Sequence, residues 1–553
     1  MAAQPKLAVR DKELLGNPPE RMVYDPIRLR KLFGSGLALW GGLKNRSERV
    51  EGRAHAPCAG TATDIESVRI PSAEQRRHRL AQLVFRAALC LMCLPATALA
   101  QDRQAREESV WLENARIRYG IPGMVIAVVR HNEPMRFTAS GYCDIERARR
   151  CEPSNPFAVG SITKSLTGLL AAHLAASGSL DLDRALHLID PTIRLPDDRA
   201  QSVTLRDLLD QRSGLGSVDW PFFWNPELPQ KEYLARLPAV PPLRAFRGGF
   251  AYANANFVIA GKVIESASGS SWESLMRKVL LRPLGMNDSG FNSPGERTIG
   301  YGPPVGDSFT RFPDTYPVAL RPAGGLVTTA RDFARLMAML VHGGKHEGRT
   351  ILSKQALSIA FAADSARHGG YALGFGFTQF RGQRVYHHSG SIAGFSSAYL
   401  LLPGKWAAVI LTNRTGTNFP EGLGFAMLDR HLGGQGDDAL ASFGGPVQQE
   451  SSTCEPEKRT PETVQRSDPV GVFHHPAWGT FSVSATPGGL RIQSGGFSAL
   501  LTWEKAGIYC FDAAPGWESL RIAPALDAAG RVHGWDLNDG THPTLQRFTR
   551  VTN

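Results

Sequence analysis

Beyond residue 120 the hydrophobic pattern changes period several times. Residues 123–129 (GMVIAVV) are continuously apolar and residues 135–141 (MRFTASG) repeat a strand-like pattern, so two neighbouring strands are predicted to pair antiparallel. Residues 161–176 switch to helical spacing, with Leu166, Leu169, Leu170 and Leu174 on the buried side. From about 180 to 360 helical patterns alternate with long Pro- and Gly-rich loops, and strand patterns resume at 371–380, 396–402 and 407–411. Strands, a mostly helical insert and strands again predict an α+β body: one sheet split in sequence, plus a helical region.

The ends read differently. Residues 433–468 turn to Gly, Asp, Gln, Ser, Glu and Pro (GGQGDD, QQESS, CEPEKRTPE) and are expected to be a linker. Residues 469–553 carry short alternating runs separated by turns, which predict a small all-β barrel or sandwich. At the front, Arg76, Arg77, Arg79 and Arg86 lead into the apolar AALCLMCL of residues 87–94, then Pro95 and the small-residue triplet Ala98-Leu99-Ala100. That is the order of a secretory signal peptide over residues 76–100, cleaved after Ala100, with export to the periplasm or medium. The apolar stretch is shorter than the roughly 20 residues a membrane-crossing helix needs, so no permanent span is expected. Residues 1–75 show no clear periodicity; they read as a start codon placed too far upstream or as a disordered extension. The α+β body is expected over 101–432.

Composition changes this picture in one respect. The chain of 553 residues is 42% hydrophobic and 20% charged, which excludes a fibrous or wholly disordered protein. Its 62 Lys and Arg against 51 Asp and Glu give +11, a value that invites a nucleic-acid reading. Residues 1–100, however, hold 16 basic and 9 acidic side chains and so carry +7 of it. The remainder has no basic run or basic-aromatic stripe, and no nucleic-acid partner is expected. Of the cysteines outside the leader, Cys143 and Cys151 bracket a turn-like stretch (DIERARR) that a disulfide could close, and Cys454 with Cys510 could tie the linker to the last domain. No cluster has zinc-ligand spacing, and no metal or cofactor is expected.

Three short motifs could carry chemistry. In Ser161-Ile-Thr-Lys164, residues three apart on a helix share a face, with about 5–6 Å between Cβ atoms, so Lys164 can reach the Ser161 hydroxyl. A lysine whose pKa is depressed by burial can act as the base a serine nucleophile needs. The alternative is a helix cap followed by a surface lysine. Tyr252-Ala-Asn254 follows a Gly-rich turn: tyrosine can shuttle a proton, and asparagine can donate to a substrate carbonyl or orient the lysine. Read alone, the pair is also a core tyrosine with a capping asparagine. In His388-Ser-Gly390-Ser391, Gly390 lets a substrate approach a strand, and the N–H groups of Ser391 and Ser161 could form an oxyanion hole. His388 could bind a carboxylate or carbonyl or assist proton transfer, or be a solvated loop histidine.

Taken in order, the three motifs resemble those of the serine beta-lactamase and penicillin-binding-protein superfamily, and in particular its class C branch with D-aminopeptidases, D-alanyl-D-alanine carboxypeptidases and esterases. Supporting segments are LRDLLDQRSGL from Leu205, PLGM from Pro283, PAGGLVTTARD from Pro322, GFSS from Gly394, Leu402-Pro403 and Leu411-Thr-Asn413. The tail's GVFHHPAWG from Gly471 looks like the opening of a lipocalin-like β domain often attached to such hydrolases. The resemblance implies a beta-lactamase/transpeptidase-like fold, an antiparallel sheet flanked by helices, followed by a small barrel. It implies acyl transfer through Ser161, with Lys164 and Tyr252 handling the proton and Asn254, His388, Gly390 and Ser391 binding substrate or oxyanion. His388 stands where typical class C beta-lactamases carry lysine. The favoured substrates are therefore D-amino-acid-containing peptides, amides or small esters, the alternatives being a beta-lactamase or a non-catalytic binder. Homo-oligomerisation stays open.

Overall fold

The computed structural model describes residue 103 and residues 106–291, 297–305, 308–312, 315–362, 370–443, 469–504, 508–512, 519–538, 542 and 544–551. The chain divides into a unit over Ile27–Asn114, helical where described from residue 106, and a second unit that contains everything from Ala115 to Asn553. The leader expected over residues 76–100 and the extension before it lie outside the described residues. Among the described residues no helix is long and apolar enough to cross a membrane.

The split sheet forms as the pattern predicts. Strands β1 (Gly123–Arg130), β2 (Arg136–Asp144) and β3 (Arg149–Arg150) come before the insert. β4 (Tyr371–Ala372), β5 (Phe375–Phe380), β6 (Gln383–Ile392), β7 (Phe395–Leu402) and β8 (Trp406–Thr412) come after it. Their order in the sheet is β4-β5-β6-β7-β8-β1-β2-β3. The two halves close where β1 pairs antiparallel with β8, from Met124 opposite Thr412 to Arg130 opposite Trp406.

Every residue of β7 and β8 is buried, because both faces of the sheet are covered. On one face, Tyr399 packs on Phe333 of the helix Ala330–Val341, and its hydroxyl hydrogen-bonds Ser165 of the helix α1 (Thr163–Ala176). On the other, Leu400 and Ile410 lie against Gly424 of the helix Phe419–His431. A second main helix of the insert, α2 (Asn254–Ser268), is buried along nine residues, Ala255 to Gly261 together with Val263 and Ile264. The expected Cys143–Cys151 disulfide is formed and closes the β2–β3 turn. Cys510 is also disulfide-bonded; its expected partner, Cys454, lies outside the described residues.

The stretch read as a linker begins with structure. The helix Asp437–Phe443 packs back on the α+β body, with the Phe443 ring stacked 4.5 Å from Phe425. Residues 444–468 lie outside the described residues. Beyond them a nine-stranded antiparallel sheet runs β12-β11-β10-β9-β17-β16-β15-β14-β13. Its members are β9 (Gly471–His475), β10 (Gly479–Thr486), β11 (Gly489–Ser494), β12 (Phe497–Leu500), β13 (Thr502–Trp503), β14 (Tyr509–Asp512), β15 (Ser519–Leu526), β16 (Val532–Asn538) and β17 (Gln546–Arg550). Phe473, Phe481, Ile492, Ile522, Trp535 and Phe548 fill its inside at the two-residue period of a strand. Phe497 and Phe511, on β12 and β14, bring the two ends of the order together at 5.8 Å, so the sheet is a nearly closed barrel. This barrel touches the insert at several points: Trp224, at the end of the short helix Trp220–Trp224, lies 4.8 Å from Phe497 with the rings 15° from parallel, Asn225 lies against Gly495, Arg236 against Gly479 and His542 against Gly216.

Candidate active site

The chain enters the site through a tight turn. Ser161 lies in a 3-10 turn, Gly160–Ile162, and α1 begins only at Thr163, so the serine precedes the α-helix that the spacing predicts it to start. Two glycines make the turn fit against β6. Gly160 has a positive φ of 51°, and a Cβ there would sit 3.0 Å from the Ser391 carbonyl oxygen. A Cβ on Gly390 would lie 1.9 Å from the Val159 carbonyl oxygen, inside any allowed contact. Ser397 Oγ on β7 donates to the same Val159 oxygen at 2.9 Å and Val159 N–H donates to Leu326 O at 3.1 Å, pinning the turn from two sides.

Lys164 is fully buried, and its Nζ sits 3.0 Å from Ser161 Oγ, 2.7 Å from Asn254 Oδ1 and 2.8 Å from the Ala323 carbonyl oxygen. The rings of Tyr252 and Phe257 flank the same nitrogen at 4.9 and 5.6 Å. Burial drives its pKa from 10.5 down to about 7, against the opposing pull of Asp219. The contacts suit both protonation states. An ammonium donates to all three oxygens; a neutral amine donates to Asn254 Oδ1 and Ala323 O and keeps its lone pair for the Ser161 hydroxyl proton. The PAGGL segment therefore supplies a lysine-holding carbonyl.

Asn254 is the first residue of α2 rather than part of a loop, and its Nδ2 donates to Asp219 Oδ2 at 2.7 Å. The turn before it is held by the LRDLLDQRSGL segment. Gln211 Oε1 accepts from Ala253 N–H at 3.0 Å and from Asn256 Nδ2 at 2.5 Å, while Ser213 Oγ donates to Asn256 Oδ1 at 2.5 Å. Tyr252 is 40% exposed, so the site reaches solvent at the tyrosine while Lys164 itself stays buried.

His388, Gly390 and Ser391 all lie on β6. β5 pairs with β6 only as far as Gly376 opposite His387, so residues 388–392 present an edge that β5 does not cover. This is the edge that approaches Gly160. His388 is buried, not a solvated loop residue, and both ring nitrogens are engaged inside the protein. Nδ1 is 2.5 Å from the Ser389 carbonyl oxygen, an acceptor, so Nδ1 carries the proton; Nε2 then accepts from the Tyr371 hydroxyl at 3.0 Å. Burial and the nearby Lys164 charge lower the His388 pKa to about 3. The ring is neutral, a different state from the substrate-binding cation a lysine would supply. Asp219, Gln211, Ser213 and Tyr371 are thus site residues beyond the three motifs. Gln211 and Ser213 lie in a segment noticed only as a pattern, and nothing in the spacing marks Asp219 or Tyr371.

An antiparallel sheet with a serine turn lying on one strand, a buried amine one helical turn further on and an amide holding that amine defines the class of fold shared by serine beta-lactamases and penicillin-binding proteins. The chain belongs to the Beta-lactamase family, whose model matches residues 97–428, more than half of its length. It is 24% identical over 348 residues to Protein flp of Staphylococcus aureus (strain COL), covering 58% of this chain and 66% of that protein. It is 25% identical over 364 residues to the Unguisins hydrolase ungD of Aspergillus violaceofuscus, covering 58% and 63%. The chain thus spans just under two thirds of the length of these curated relatives. Among solved structures, the octameric penicillin-binding protein homologue from Pyrococcus abyssi shares the fold, with a TM-score of 0.51 at 20% identity over 80% of this chain and 99% of that one.

Proposed function

We propose that the protein is an exported serine hydrolase that forms an acyl-enzyme on Ser161 and acts on D-amino-acid-containing peptides, amides or small esters. The observation that carries the reading is Lys164: fully buried, with a pKa near 7 and its Nζ 3.0 Å from the Ser161 hydroxyl oxygen. In acylation the Ser161 proton passes to Lys164 Nζ while Oγ bonds to the substrate carbonyl carbon and the carbonyl π pair moves to oxygen. The N–H groups of Ser161 and Ser391 stabilise that oxyanion. The intermediate collapses, and the leaving group takes a proton delivered through Tyr252. Water then cleaves the ester by the reverse proton path. A fluorophosphonate probe, followed by mass spectrometry of the labelled peptide, tests the assignment; labelling at a serine other than Ser161, or none, overturns it.

The substrate preference rests on His388. A neutral imidazole with both nitrogens engaged gives a substrate carboxylate no charge to bind, so substrates whose reacting end is an amide or ester are favoured. D-Alanine amides and short p-nitrophenyl esters are expected to turn over at least about tenfold faster than D-Ala-D-Ala peptides or nitrocefin, which bear carboxylates; a tenfold loss of carboxylate affinity corresponds to about 1.4 kcal/mol. Equal kcat/KM values across that panel refute the preference.

The base also sets the pH response. Lys164 accepts a proton only when neutral, so the alkaline form is active and kcat/KM falls about tenfold per pH unit below the lysine's pKa near 7. A profile of probe labelling against pH checks this; a flat profile from pH 5 to 9 contradicts it.

A further inference from the structure

Asp219 is placed where it determines how Asn254 faces the lysine. It directly precedes the helix Trp220–Trp224, the usual station of a capping aspartate, but its side chain makes no capping hydrogen bond. Instead its Oδ1 accepts from the Tyr233 hydroxyl at 2.7 Å and its Oδ2 accepts from Asn254 Nδ2 at 2.7 Å. Tyr233 is fully buried, and burial together with the Asp219 charge raises its pKa well above the ordinary phenol value, so it stays a donor. A carboxylate is an acceptor only. Asp219 therefore requires the amino end of the Asn254 amide to face it, which turns Oδ1 towards Lys164. An amide in the opposite orientation would set an oxygen against a carboxylate and an NH2 group against an ammonium.

We propose that Asp219 is a positioning residue for the serine–lysine pair, fixing the Asn254 amide so that its oxygen holds Lys164 and supplying the negative charge that balances the ammonium once Lys164 has taken the Ser161 proton. This rests on the acyl-enzyme reading above. Among the described residues, Tyr252 and His388 lie beside Lys164, and Tyr233 and Tyr316 beside Asp219. Burial and Asp219 both raise the Tyr233 and Tyr316 pKa values, and His388 is neutral above about pH 3, so Asp219 is the member of this group that is charged opposite to Lys164 near neutrality. Its effect on Lys164 is upward, against the larger downward effect of burial. Without it the lysine would be a weaker base, and the Asn254 amide could present either end.

The test uses the full chain with Asp219→Asn, which keeps the shape and removes the charge, and Asp219→Glu, which keeps the charge. Titration of 13Cε-labelled lysines by NMR reads Lys164 directly, assigned by its loss in Lys164→Met. In Asp219→Asn the Lys164 pKa is expected to fall by about two units, the size of a unit charge acting across one bridging amide at an effective dielectric near 20. The acid limb of kcat/KM should move down with it. kcat is expected to fall about 10- to 100-fold with KM changed less than threefold, and Asp219→Glu should recover part of the loss. An unmoved Lys164 titration in Asp219→Asn overturns the proposal, as does a loss of activity that leaves the pH limb in place. If no substrate is hydrolysed by the native protein, the acyl-enzyme reading fails, and the NMR titration still decides the role of Asp219.

Discussion

Ser161→Ala lowers hydrolysis by about 1,000-fold or more while the protein keeps its native melting temperature within a degree or two, and it loses fluorophosphonate labelling entirely. The hydroxyl is the only group removed. Gly390, Ser397 and Leu326 hold the turn through the backbone of Val159, and none of those contacts involves the Ser161 side chain. Lys164 keeps Asn254 Oδ1 and Ala323 O as acceptors. Nothing else at the site replaces the nucleophile, because the next hydroxyl along the helix, Thr163 Oγ1, donates to Gly160 O at 2.8 Å and accepts from Leu326 N–H at 3.1 Å inside the core. Steady-state kinetics on the best ester of the panel, alongside thermal melts, decide the matter. Retention of more than a tenth of native activity would move the nucleophile elsewhere.

Gly390→Ala has the second-largest expected effect, for a steric reason. The new methyl would arrive 1.9 Å from the Val159 carbonyl oxygen and 2.8 Å from Ser397 Oγ. The first is backbone and is already bonded to Ser397, so it cannot swing aside as a side-chain end would. Either β6 or the serine turn must shift by an ångström or more. Overpacking of this kind costs about 1–3 kcal/mol of stability, and displacing a nucleophile by 1 Å costs about 100-fold in rate. Urea unfolding and kcat/KM measured on the same preparation should both change. Native activity in Gly390→Ala would show that the turn does not lie on the strand as described.

These two substitutions mark how much of the molecule the amino-acid sequence makes legible. The serine, lysine, tyrosine, asparagine and glycine can be picked out because the chemistry needs those residue types at short, fixed spacings along helix and strand. The split sheet is legible for a related reason: the runs at 123–129, 396–402 and 407–411 are apolar enough to demand burial on both faces. Partners brought together by tertiary packing are not. Ala323 meets Lys164 across 159 positions of chain and Asp219 meets Asn254 across 35, and no periodicity connects them. A first turn of 3-10 type before α1 has the same apolar spacing as one of α type, so the pattern assigns Ser161 to the helix. The helix Asp437–Phe443 is hidden because its neighbours are Gly, Gln and Asp; buried Leu440 and the Phe443 contact with Phe425 explain its place. His388 could be found but not its state, since neutrality comes from burial, the Ser389 carbonyl and the Tyr371 hydroxyl.

The Trp224–Phe497 stack takes on a different significance once chain connectivity is considered. Only 25 residues, 444–468, separate the last described helix of the α+β body from the barrel. Covalent connection makes the seating of the barrel an intramolecular event. Besides the aromatic pair, worth about 1 kcal/mol, the contacts of Asn225 with Gly495, Arg236 with Gly479 and His542 with Gly216 keep the barrel seated. Trp224 ends the helix that Asp219 precedes, so the seat of the barrel bears on the segment that carries Asp219.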